Sequence, residues 1–153
     1  MKFRRKHYRA QVDTRDCGVA SLAMIYDYYG SYYSLATLRE AAKTTQEGTT
    51  AFGLVKVSEE LGFETRAIKA DMSLFDMEEL TYPFIAHVLK EGKLLHYYVV
   101  TGQDKKYIHI ADPDPAVKMT RLSRERFASE WAGVTIFLPL LLNINLTRKR
   151  KMD

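Results

Sequence analysis

This 153-residue chain has one cysteine and four histidines with which to make or break a covalent bond. The cysteine, Cys17, lies in "QVDTRDCGVASLAMIYDYYG", Gln11 to Gly30, where a helical apolar pattern begins. A thiol is a weak nucleophile until ionised, and a helix N-terminus and a nearby imidazolium both favour the thiolate. Taken alone, the position favours a plainer reading, a small buried hydrophobe at the start of a core helix. The choice turns on whether a histidine and a carboxylate can reach it.

The histidines stand at 7, 87, 96 and 109, without ligand spacing on a helix, and neither CxxC nor HExxH occurs. No metal and no cofactor is therefore implied. "GTTAFGLVK" sets Gly48 and Gly53 at phosphate-loop spacing, but Leu54 stands where the lysine must be.

Two hairpins sort the histidines. If "LHYYVVTGQDKKYIHIAD" turns about Asp104, His96 stands opposite Asp112, close enough for the carboxylate to hold the ring. A turn about Gly92 in "IAHVLKEGKLLHYY" puts His87 opposite Tyr97 on the other face, where His109, opposite Val99, also falls. The pairing depends on register, and a shifted turn would leave Asp112 diagonal to His96 or past the strand end. His87 and His109 then read as structural or exposed, and Asp112-Pro113 alone would be a strand terminator. Acyl transfer also needs donors for an oxyanion. Gln11, a short loop before Cys17, can supply one and the Cys17 amide the other, although an isolated Gln11 would be a surface residue.

These residues need elements to carry them. Asp16 is a plausible N-cap for a helix bearing Val19, Leu22, Ala23, Tyr26 and Tyr29, which Gly30 stops. Ser34 and Thr50 can cap two more, the last ending at Gly62. The period then changes: "FETRAIKA", "YPFIAHVLK", "LHYYVVTG", "KYIHIAD" and "AVKMTRL" read as strands, followed by a short helix from Ser123 to Trp131 and a strand at Val134 to Phe137. Helices first and hairpin-linked strands second predict an α+β fold with an antiparallel sheet.

The length suits one domain, and a single cysteine rules out an intramolecular disulfide. The start, "MKFRRKHYRAQ", is basic with no following apolar stretch, so no signal peptide is expected. The longest near-continuous apolar run, Val134 to Leu142, is about half a membrane span. Lys2, Arg4, Arg5 and Lys6 account for the whole net charge of +4, and residues 148 to 153 add a further net +3, so the body is net −3. Basicity confined to the ends argues against nucleic acid as a partner. Residues 1 to 138 are expected to form the domain, and 139 to 153 a basic tail that begins a linker.

"QVDTRDCGVASLAMI", "LLHYYVVTG" and "IHIADPD" together resemble the papain-like cysteine peptidase domain at the N-terminus of ABC transporters that export bacteriocins and pheromones. The likeness spans about residues 7 to 138. It implies a papain-like fold, the helical half packed on the antiparallel sheet. It implies Cys17 as nucleophile, His96 as general base and acid, Asp112 as the orienting carboxylate and Gln11 as an oxyanion donor. The implied substrate is a precursor peptide cut after a Gly-Gly pair that ends an amphipathic helical leader. The implied partners are the transmembrane and ATP-binding domains of the same transporter, at the cytoplasmic side of the bacterial membrane. Two other readings stand beside this one: a leader-docking domain without catalysis, and thiol chemistry directed at another acceptor.

Overall fold

A computed structural model describes residues 2–138. The expected linker at 139–153 lies outside the described residues. Four α-helices and six strands follow in chain order: α1 Cys17–Tyr28, α2 Leu35–Ala41, α3 Ala51–Glu60, β1 Arg66–Lys69, β2 Phe84–Lys90, β3 Leu94–Gln103, β4 Tyr107–Asp112, β5 Lys118–Ser123, α4 Arg124–Glu130 and β6 Trp131–Phe137. The strands form one antiparallel sheet in the order β1-β6-β2-β3-β4-β5. The α+β architecture is the one expected. The sequence pattern did not show that the last strand enters the middle of the sheet, between β1 and β2.

Helix α1 is apolar all round, and every residue of it except Asp27 is buried, as befits a central helix. It ends where Gly30 takes φ +88° and the Ser31 N–H donates to Tyr26 O at 2.8 Å, closing the helix with a left-handed cap. Ser34 and Thr50 do cap α2 and α3, accepting from the Thr37 and Gly53 N–H groups. Asp16 does not cap α1. Its carboxylate is drawn away by the Arg39 guanidinium of α2, with Nε–Oδ1 at 2.8 Å and Nη2–Oδ2 at 3.0 Å.

The sheet separates two apolar layers. Ile85, Tyr97, Val99, Ala111 and Ile136 face the helices, with Val19, Leu22 and Leu54 opposite them. Phe84, Val88, Tyr98, Val100, Ile108 and Ile110 face the other way and are covered by Phe127 of α4 and by Leu74 and Phe75 of a 3-10 turn, Met72–Asp76. Gly18 sets how closely α1 approaches: a Cβ there would meet Leu54 of α3 and Tyr97 of β3, each at 3.3 Å.

Candidate active site

Cys17 is the first residue of α1 and is buried, at 6% exposure. The first N–H groups of a helix have no intrahelical acceptors, so this end offers donors and a positive dipole. A cleft of ≈ 370 Å³ opens at Cys17, with Thr14, Thr49, Leu95, His87 and Tyr97 in its walls. His87 and Tyr97 stack at 4.5 Å, forming one flat side.

His96 and Asp112 do meet. Asp112 Oδ1 lies 2.7 Å from His96 Nε2, and Asp112 is fully buried. Asp112 takes only Nε2 of the ring, and Cys17 is near enough to the imidazole to help raise its pKa. Burial alone would lower the pKa of His96. The hydrogen bonds and charges of Asp112 and Cys17 outweigh it and raise the value to about 9. Burial would likewise raise Asp112, but the bond and charge of His96, then Lys90, then the Asp114 N–H, hold it below the usual carboxylate range.

The register differs from the expected one. Asp104 N–H donates to Tyr107 O at 3.0 Å, so the turn centres between Lys105 and Lys106, and a bulge lies between Val100 and Gly102. Val99 therefore pairs with Ala111, which brings Asp112 level with Tyr98 and diagonal to His96. A displacement of two residues keeps both side chains on one face, and the contact survives. His109 pairs with Gly102, not Val99, and its Nε2 lies 2.8 Å from Asp104 Oδ2 at the hairpin tip. His87 does pair with Tyr97, but it lines the Cys17 cleft instead of standing apart. Burial first, and the His96 charge second, lower its pKa.

Gln11 is tied to this region by its backbone, the N–H donating to Pro113 O at 2.8 Å. Among the described residues the side-chain oxygen Oε1 is buried without a hydrogen-bond partner, and no bond joins that side chain to Cys17, His96 or Asp112. The Val12 and Asp13 N–H groups both donate to Asp16 Oδ2 at 3.3 Å, so the Asp16–Arg39 pair anchors the loop carrying Gln11. Tyr8 donates its hydroxyl to Asp112 O at 2.6 Å.

Two basic residues that hold buried carboxylates, Arg39 on Asp16 and Lys90 on Asp112, escaped the sequence reading. Arg39 carries no local signal, because its partner Asp16 is on another element. Lys90, whose Nζ is 2.5 Å from Asp112 Oδ2, did carry one. The β2–β3 register places it on the face of His96, two residues beyond Val88, which pairs with His96.

Comparison with known proteins identifies the family and the fold. The model of the Peptidase C39 family matches residues 5–139. The transport/processing ATP-binding protein ComA of Streptococcus pneumoniae is 75% identical over 138 residues, 90% of this chain and 19% of that protein. The lactococcin-A transport/processing ATP-binding protein LcnC of Lactococcus lactis is 51% identical over 150 residues, 98% of this chain and 21% of that protein. The chain thus spans about one fifth of the length of these relatives. The crystal structure of the peptidase domain of Streptococcus ComA superposes with a TM-score of 0.83 at 58% identity, covering 87% of this chain and 97% of that one. A double glycine motif protease from an AMS/PCAT transporter, crystallised with its leader peptide, gives 0.73 at 25% identity, covering 86% and 89%. The chain belongs to the Peptidase C39 family, and its α+β domain is a cysteine peptidase of papain-like fold.

Proposed function

We propose that this domain removes the N-terminal leader of an exported precursor peptide by cutting after a Gly-Gly pair. Cys17 is the nucleophile, His96 the base and acid, Asp112 the orienting carboxylate and Gln11 an oxyanion donor. The observation that carries the reading is the Asp112–His96 bond of 2.7 Å beside a cysteine at a helix N-terminus.

The Cys17 sulfur, its proton already passed to His96, attacks the carbonyl carbon of the second glycine, and the carbonyl π electrons move onto oxygen. The Cys17 N–H and the Gln11 amide receive that oxyanion. With its pKa raised to about 9, His96 already holds at neutral pH the proton that the leaving amine requires. As the C–N bond breaks, the proton passes to nitrogen, and the thioester remains on Cys17. Neutral His96 then takes a proton from water, whose oxygen attacks the thioester; the C–S bond breaks, the leader leaves as its acid, and the Cys17 thiolate beside the His96 imidazolium is restored.

The preference for glycine is steric. The stacked His87–Tyr97 pair, one wall of the Cys17 cleft, is the surface against which a side chain beside the scissile bond would press. The leader is an amphipathic helix that docks by spaced apolar anchors outside the cleft. Residues 1 to 138 act as the N-terminal domain of an ABC exporter at the cytoplasmic face of the membrane, with transmembrane and ATP-binding domains as partners. None of the helices among the described residues is long and apolar enough to cross a bilayer.

The test is incubation of a Gly-Gly leader precursor with the wild type and with Cys17→Ala, followed by mass spectrometry. Cleavage after the second glycine by the wild type alone is expected, and it should be lost when the two glycines are replaced by alanines. Equal cleavage by both proteins would overturn the proposal.

A further inference from the structure

Asp112 has two carboxylate oxygens and no exposure to water. Oδ1 accepts from His96 Nε2 at 2.7 Å and from the Asp114 N–H at 2.9 Å. Oδ2 is held by the Lys90 ammonium at 2.5 Å. Lys90 closes β2, and its backbone carbonyl accepts from the Lys93 N–H at 2.9 Å in the turn before β3. With its side chain only 19% exposed, it is not a freely solvated lysine.

We propose that Lys90 is a positioning residue: its ammonium fixes the Asp112 carboxylate so that Oδ1 faces His96, and its charge weakens the carboxylate's hold on the imidazolium so that the proton can pass to the leaving amine. The proposal rests on the peptidase reading of the site. Once Cys17 is ionised and His96 protonated, the buried cluster of Cys17, His96 and Asp112 carries one net negative charge, and Lys90 brings it to zero. Uncompensated charge in a dry site is costly, and an opposed pair is favoured. A carboxylate with a single cationic partner would hold the imidazolium more tightly and make it a poorer acid.

The other titratable groups around His96 do not supply this counter-charge. His87 of β2 is kept neutral by burial and by the His96 charge itself. Tyr97 and Tyr98 of β3 have pKa values raised, first by burial, and stay protonated. Glu130 of α4 is bonded to the Tyr98 hydroxyl and to Arg126.

An NMR titration of the His96 ring in the 153-residue chain tests this without any substrate, so its outcome is independent of whether a Gly-Gly leader is cut. Its signal is assigned by loss in His96→Gln. Lys90→Met should raise the titration midpoint by about half a pH unit or more, since the cation on the other oxygen of the ring's carboxylate partner has gone. Lys90→Gln, which keeps a donor for Oδ2 without the charge, should raise it too and serves if the Met variant does not fold. Lys90→Arg should leave the midpoint at the wild-type value. On a cleaved precursor, both neutral variants should lower kcat roughly tenfold at similar KM, with Arg restoring most of it. A midpoint that stays in place or falls in the folded neutral variants would overturn the proposal.

Discussion

The Asp112 carboxylate holds the His96 imidazole through Nε2 at 2.7 Å, with side-chain exposures of 0% and 5%. Little water reaches this bond, so the pair sets the charge state of His96 and the direction of its free nitrogen. Replacing Asp112 by Asn removes the charge and leaves the burial that opposes protonation. The His96 pKa should fall well below about 9, with only Cys17 left to oppose the burial. The limb of the pH–rate profile that needs the imidazolium should move to lower pH, and kcat/KM at neutral pH should drop roughly 10²- to 10⁴-fold. Steady-state kinetics across pH read both effects.

The Asp16–Arg39 pair links α1, α2 and the loop that bears Gln11. Removing one partner of a fully buried pair costs about 3–5 kcal/mol. Arg39 is 26% exposed, so Arg39→Met should cost less, about 2–3 kcal/mol at neutral pH. Burial would raise the Asp16 pKa, but the Arg39 hydrogen bond and charge outweigh it and keep it below 3.8. A depressed carboxylate contributes stability at pH above its unfolded value and loses it as the pH falls through its folded value. Urea denaturation should therefore show the gap between wild type and variant shrinking below about pH 4.

Much of this site was legible in the sequence, for physical reasons. Period-two alternation in β3 and β4 puts His96 and Asp112 on one face, and an error of two residues in register leaves that parity intact. Lys90 was equally readable from the β2 hairpin, whose turn about Gly92 was placed correctly, but a terminal lysine resembles any solvated strand end. The Arg39–Asp16 contact, the position of β6 between β1 and β2, and the cover supplied by Met72–Asp76 were not legible. Each depends on pairing between distant segments, which local pattern does not encode.

Gly18 offers a separate test of positioning. The Leu54 and Tyr97 side chains, 3.3 Å from where an alanine methyl would sit, would have to give by a few tenths of an ångström, or α1 would move away with Cys17 at its tip. The gain in helix propensity of Ala over Gly, about 1 kcal/mol, offsets much of the packing strain. Gly18→Ala should therefore keep a melting temperature within a few degrees of wild type. Its kcat/KM should nevertheless fall roughly tenfold or more, because small displacements of a nucleophile are costly. Calorimetry and leader-cleavage kinetics on the same preparation separate the two effects.

Two histidines compete for the role of partner to Cys17: His87 lines its cleft, and His96 is held by the Asp112 carboxylate. The most direct measurement is the rate at which a leader peptide ending in a Gly-Gly chloromethyl ketone alkylates the chain, followed by intact mass and peptide mapping. The adduct should form on Cys17 in the wild type, slow by roughly 10²-fold or more in His96→Ala, and change only a few-fold in His87→Ala. An unchanged rate in His96→Ala would contradict the assignment of His96 as the group that activates Cys17.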